Sequence, residues 1–150
     1  NIHTAVESSG YSSWEKLESI IPYLNVVFYD FKLPDPELHK KYTGVSNVLI
    51  KDNLKKLAGS FSEDLIIRIP LVPDYNSSED LLEDTFAFLG QIQGIKRIEV
   101  MPYHRFGVSK YNGTGREYEL PKVKPVKPEE IEFLTDIGRK YGLETRIDAK

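Results

Sequence analysis

Cysteine does not occur anywhere in this 150-residue sequence. Disulfides, thiolate nucleophiles, zinc–thiolate sites and cysteine-ligated clusters are therefore excluded within the chain. Histidine is scarce too. His3, His39 and His104 lie far apart and no H-E-x-x-H spacing occurs, which argues against a histidine-built metal site. No apolar run approaches the roughly 18–20 residues of a membrane helix, and no signal-peptide pattern opens the chain. An excess of one charge is also missing. The 20 basic and 23 acidic residues leave a formal net charge of -3, without a like-charge block. Nothing therefore points to nucleic acid or a membrane surface, and a cytoplasmic setting is expected.

What is present suits one globular domain over residues 1–150, since 40% of the residues are hydrophobic. A closed eight-stranded α/β barrel needs ~250 residues, so at most part of one fits here. The sequence opens on Asn1 and runs at once into a strand pattern, Ile2-His3-Thr4-Ala5-Val6-Glu7, with no turn or cap before it. We read this as a cut, with upstream sequence missing.

Strand and helix signals then alternate. Ser12 with Glu15 predicts a capping box for a helix bearing Trp14, Leu17, Ile20 and Ile21, stopped near Pro22. Val26-Val27-Phe28-Tyr29 reads as a strand buried on both faces. Asp35 and Pro36 start a short helix that Gly44 ends; Ser46 opens another, closing near Gly59. Asp64 to Pro70 is a strand, and a helix with Leu82, Phe86 and Leu89 follows. Arg97 to Tyr103 is the next strand. A long polar loop containing Gly107, Gly113 and Gly115 leads through an extended Lys/Pro stretch from Pro121 to Pro128. A last helix carries Ile131, Leu134, Ile137 and Tyr141, with Gly142 as terminator, before a short strand from Leu143 to Ile147. Such alternation predicts a parallel α/β sheet, either doubly wound or part of a barrel.

Ligands in parallel α/β folds bind beyond the carboxyl ends of the strands. Each predicted strand delivers a polar group to that rim. Asp30 and Lys32 are two apart and share a face. They suit a zwitterionic ligand, or else form an internal ion pair. Glu7 and Ser8 offer oxygens for an ammonium or a hard cation, or belong to a plain turn. Arg68, in an otherwise apolar strand, binds a ligand carboxylate or pairs with Asp30 or Glu7. His104 could stack on or hydrogen-bond to a nucleoside, or be structural. His39, beside Lys40 and Lys41, reads as a solvated surface residue. The glycines at 107, 113 and 115 do not join a strand to a helix, so no phosphate-loop motif is present.

Taken in order, these stretches resemble the radical S-adenosylmethionine family, in particular the activating enzymes of glycyl radical enzymes of the pyruvate formate-lyase activating type. The matching residues are Glu7-Ser8-Ser9-Gly10-Tyr11, then Tyr29-Asp30-Phe31-Lys32, then His39 with Thr43-Gly44 and Asn47. They continue in Arg68-Ile69-Pro70-Leu71-Val72-Pro73 and in Met101-Pro102-Tyr103-His104 with Gly107, Lys110 and Tyr111. Order and spacing agree from about His3 to Gly142.

The resemblance implies the C-terminal part, about four βα units, of a partial TIM-type barrel. It implies S-adenosylmethionine and a four-iron, four-sulfur cluster as cofactors of a longer parent. In that parent, one electron cleaves S-adenosylmethionine on the cluster, and the resulting radical takes hydrogen from a glycine of the partner. Asp30, Lys32, His104 and Arg68 match positions lining the S-adenosylmethionine pocket. Glu7, Ser8 and Asp30 match positions around a monovalent cation. Implied partners are a glycyl radical enzyme like pyruvate formate-lyase and a one-electron donor such as a flavodoxin or ferredoxin. The cluster's cysteine loop is absent from this chain, so the chain alone is expected to bind no cluster and to be inactive. Departures from the family pattern are Ser8 for threonine, Asp74 for glycine and Ser77 for aspartate. Self-association through an exposed edge strand is expected. The competing reading is a cluster-free docking module with the same fold, and a phosphate-binding isomerase is a more remote one.

Overall fold

The computed structural model describes residues 2–118, 120 and 122–148. Among the described residues, five strands form one sheet: β1 (Ala5–Ser8), β2 (Val26–Asp30), β3 (Asp64–Leu71), β4 (Ile95–Pro102) and β5 (Thr145–Ile147). Between them lie α1 (Trp14–Ile20), α2 (Pro36–Thr43), α3 (Val48–Ser60), α4 (Glu79–Gly90), α5 (Val108–Gly113) and α6 (Phe133–Lys140). Short 3₁₀ turns occur at Ile21–Tyr23, Arg105–Gly107 and Pro128–Ile131.

The strands are all parallel and stand in the order β1-β2-β3-β4-β5, the order of the chain itself. A doubly wound sheet must reverse direction at a switch point, and this one never does. Right-handed crossovers that always step the same way put their helices on one face, as in a barrel wall. The fold is therefore an α/β partial barrel.

That topology decides which side chains are buried. Val27 and Tyr29 of β2, Leu65, Ile67, Ile69 and Leu71 of β3, and Ile98 and Val100 of β4 meet Ile50, Leu54 and Leu57 of α3, Leu82, Phe86 and Leu89 of α4, and Leu134 of α6 in one core. Their sheet neighbours point the other way. β2 alternates half-buried and buried residues, so the expectation that Val26 to Tyr29 is buried on both faces is corrected. Only one face of this strand is roofed by helices.

Local signals fared unevenly. Asp35 caps α2 by accepting the Leu38 N–H at 2.7 Å, and Gly44 ends it at φ 85°. Gly142 follows α6 at φ 72°. The capping box from Ser12 and Glu15 does not form: Ser13 is the N-cap of α1 and makes no side-chain cap bond. Asn47, not Ser46, precedes α3. The predicted polar loop after β4 contains a 3₁₀ turn and α5. Pro121 lies outside the described residues.

Candidate functional site

Parallel strands bring their carboxyl ends to one rim, and the register sets what stands beside what. Asp30 is opposite Arg68, Arg68 opposite Glu99, and Glu99 opposite Arg146. Register partners share a face, so a row of alternating charge crosses the side of the sheet that the helices leave open. One step toward the amino ends, Glu7, Phe28, Ile66 and Arg97 form the next row on that face.

Arg68 joins the two rows. Its Nη1 and Nη2 donate to Glu7 Oε1 and Oε2, each at 2.8 Å. Its Nε and Nη2 also reach Asp30 Oδ1, both at 3.3 Å. The guanidinium lies 5.2 Å from the centre of the Phe28 ring, a cation–π arrangement. Asp30 Oδ2 stands 3.7 Å from Lys32 Nζ. The Arg68 hydrogen bonds and its charge hold the Glu7 carboxyl below the usual glutamate range. The same bond to Glu7 raises the Arg68 pKa further. Arg97 and Glu99 close a second pair on this face at 2.8 Å.

The structure therefore brings Glu7, Asp30, Lys32 and Arg68 into one ionic cluster. Ser8 has a local bond: its Oγ accepts the Gly10 N–H at 3.0 Å, so it takes part in the turn after β1. His104 stands two residues beyond β4 on the same rim and is exposed. Lys32 also reaches the wall of a cavity of about 380 Å³ at the carboxyl ends of β2 and β3. Pro70, Tyr42, Tyr75, Tyr111 and Tyr118 line it as well. The size falls within the range of small-molecule pockets, and four phenol rings with the Lys32 and Lys41 ammoniums suit a flat ligand bearing an anionic group. Tyr118 is pushed up to about 12 by burial and by its hydrogen bond with Tyr103.

What holds Lys32 in place was not legible as such in the sequence. Asn76 accepts the Val72 N–H at 2.7 Å and donates to the Lys32 and Pro70 carbonyls at 2.9 and 2.8 Å. Asn47 donates to the Leu33 and Pro34 carbonyls at 2.7 and 3.1 Å, and Lys51 Nζ donates to Pro34 at 2.7 Å. Carbonyls of three consecutive residues after β2 are thus gripped from α3 and from the loop after β3. On the other side, Asn53 donates to the Gly10 and Ser12 carbonyls, both at 2.8 Å. The available signal was a set of asparagines spaced among apolar residues, each expected to be costly to bury without such partners.

His39 requires a correction. Expected at the surface, it is buried, with Nδ1 2.7 Å from the Val45 carbonyl and 2.9 Å from Thr43 Oγ1. It ties the end of α2 to the turn that leads to α3. The departure at Asp74 also has a visible consequence. Asp74 adopts φ 67°, the left-handed region that glycine enters without strain and aspartate tolerates better than most residues.

No family model matches the chain. Curated proteins do. The chain is 30% identical over 146 residues to an indoleacetate decarboxylase activating enzyme of Tractidigestivibacter scatoligenes, covering 97% of this chain and 46% of that protein. It is 36% identical over 144 residues to a 4-hydroxyphenylacetate decarboxylase activating enzyme of Clostridioides difficile, covering 95% of this chain and 45% of that one. The chain thus spans about half the length of the curated relatives it matches. Among solved structures it resembles a domain of a pyruvate-formate lyase-activating enzyme from Bacteroides vulgatus, with a TM-score of 0.78 and 23% identity, covering 99% of this chain and 82% of that one. That likeness establishes the fold.

Proposed function

Because this chain belongs with the glycyl-radical-enzyme activating enzymes of the radical S-adenosylmethionine family, we propose that it contributes the strand-end half of an S-adenosylmethionine pocket in a protein that installs a glycyl radical on a partner enzyme. The single observation that carries this reading is the meeting of Asp30 and Lys32 at the rim, with Lys32 on the wall of the tyrosine-lined cavity. An ammonium beside aromatic walls fits a nucleoside that also bears a carboxylate. Lys32 would meet that carboxylate, and Asp30 the ligand's ammonium. His104 would face the nucleoside from the end of β4. Arg68 would act on the same ligand through its hold on Asp30.

S-adenosylmethionine supplies the hydrogen-abstracting radical when it is held on a reduced iron–sulfur cluster. The cluster itself finds no fit here, because the chain contains no cysteine to ligate it. This chain's own part is to bind, orient and shield. The activity of the whole protein, its glycyl radical partner and a flavodoxin- or ferredoxin-like donor follow from the same reading.

The test has two arms. Calorimetry on this chain alone should show weak or no uptake of S-adenosylmethionine; micromolar affinity would contradict the half-pocket. In an activating enzyme carrying these residues together with a cysteine triplet, Lys32→Met and Asp30→Asn should each weaken S-adenosylmethionine binding at least about tenfold, the effect of one lost charge-assisted contact. Unchanged affinity in both would sink the assignment. A native chain with no cysteine triplet anywhere upstream would favour the cluster-free docking module instead.

The outer edge of β1 has no partner strand among the described residues. Open edges invite pairing, so self-association is part of this reading. Sedimentation should show dimers or larger species, and a strict monomer at high concentration would count against it.

A further inference from the structure

We infer that the Arg68 guanidinium, and not a free monovalent ion, is the resident cation of the Glu7 and Asp30 carboxylates in this chain. Family likeness implies a monovalent cation held by Glu7, Ser8 and Asp30. The residues do not fit that ion as they stand. All four carboxylate oxygens already face a protein cation: Glu7 Oε1 and Oε2 each accept from Arg68 at 2.8 Å, and Asp30 Oδ1 accepts twice at 3.3 Å. Asp30 Oδ2 looks toward Lys32 Nζ at 3.7 Å. Ser8 Oγ is engaged by the Gly10 N–H.

Charge and placement agree with the distances. Two carboxylates face one guanidinium and one ammonium, so the cluster is neutral, and an added ion would leave it positive. Arg68 is well fixed. Its side chain is only 16% exposed, it lies over the Phe28 ring, and its strand position is set between Asp30 and Glu99. The fork on Glu7 has the parallel two-bond geometry that gives guanidinium–carboxylate pairs their strength and direction. Each carboxylate oxygen keeps a further lone pair, but an ion using it would sit beside the guanidinium and the ammonium, and their repulsion opposes its entry while Arg68 stays. Ion entry and guanidinium departure are therefore coupled through charge, and the carboxylates are matched without any ion. This conclusion goes beyond the function proposed above. It stands on the cluster's geometry, and its test does not involve S-adenosylmethionine.

The experiment follows the thermal midpoint of this chain at constant ionic strength while tetramethylammonium chloride is replaced by sodium or potassium chloride. The wild-type chain should show no ion-specific shift. Arg68→Met releases both carboxylates and should gain an upward shift of a few degrees that saturates with sodium or potassium. Arg68→Lys keeps the charge but cannot bridge two carboxylates with a planar fork, so it should gain a smaller shift of the same kind. If Arg68→Met does not fold, the lysine variant and the wild-type titration decide. A saturable ion-specific shift in the wild-type chain would overturn the inference, because ion and guanidinium would then coexist. So would the lack of any such shift in every folded variant.

Discussion

The two faces of the sheet carry residues from the same strands, one position apart, yet they are held by different forces. On the helix-covered face, Leu65, Ile67, Leu89, Phe86 and Ile98 are fully buried, and stability there comes from removing apolar surface from water and filling space. On the open face, Arg68 pairs with Glu7 and Asp30 across strands and Arg97 with Glu99 along β4, while keeping contact with solvent. Attraction there is largely offset by desolvation and screening. The comparison teaches that the fold is secured on one face, which leaves the other free for binding chemistry.

The contrast should break most sharply at Phe86. Phe86→Ala removes a side chain that is 0% exposed and leaves a cavity, so it should cost about 3–5 kcal/mol in urea unfolding. A loss below about 1 kcal/mol would mean that the helical face collapses freely and is not closely packed. Next in size is the rim between the faces. Asn76→Ala strands the Val72 N–H and the Lys32 and Pro70 carbonyls, and should cost about 2–3 kcal/mol. Amide exchange at Val72 should quicken in that variant, since its N–H loses its acceptor.

On the open face, Arg97→Met should cost only about 1 kcal/mol, since the pair it breaks with Glu99 is partly solvated, and the cost should shrink in high salt. A salt-independent loss as large as that of Phe86 would erase the distinction between the faces. The smallest effect expected is a titration. Glu7 is ionised more readily in the folded chain than its ordinary 4.5, so the unfolded chain binds its proton first as pH falls. The contribution is thus present above about pH 4.5 and disappears as pH drops through the lowered folded value. Comparing Glu7→Gln with wild type from neutral to acid pH should show the two stability curves converging at the acid end. Parallel curves would mean that Arg68 gives Glu7 no preference for its ionised form.

Several parts of this arrangement were legible in the sequence alone. Asp35-Pro36 and Gly44 bracket α2 because capping and glycine's freedom at positive φ act within a few residues. Asp30 and Lys32 share a face because strand periodicity alone dictates it. Other parts were not. His39 between charged neighbours gives no sign that the Val45 carbonyl will close over it. The run Val26 to Tyr29 looks uniformly apolar, and nothing local says that Phe28 will lie under a guanidinium from a strand forty residues on.

By itself, then, the sequence determined the alternation of strands and main helices up to β4, the lack of any cysteine ligand and the family likeness, because each depends on composition or on contacts a few residues long. Tertiary structure alone decided the rest: which sheet face the helices cover, that the strand order follows the chain without a switch point, and that Arg68 fills the space between Glu7 and Asp30. The physical reason is range. Those outcomes depend on crossovers and register between strands tens of residues apart, where no local preference reaches and only the packed sheet sets which charge meets which.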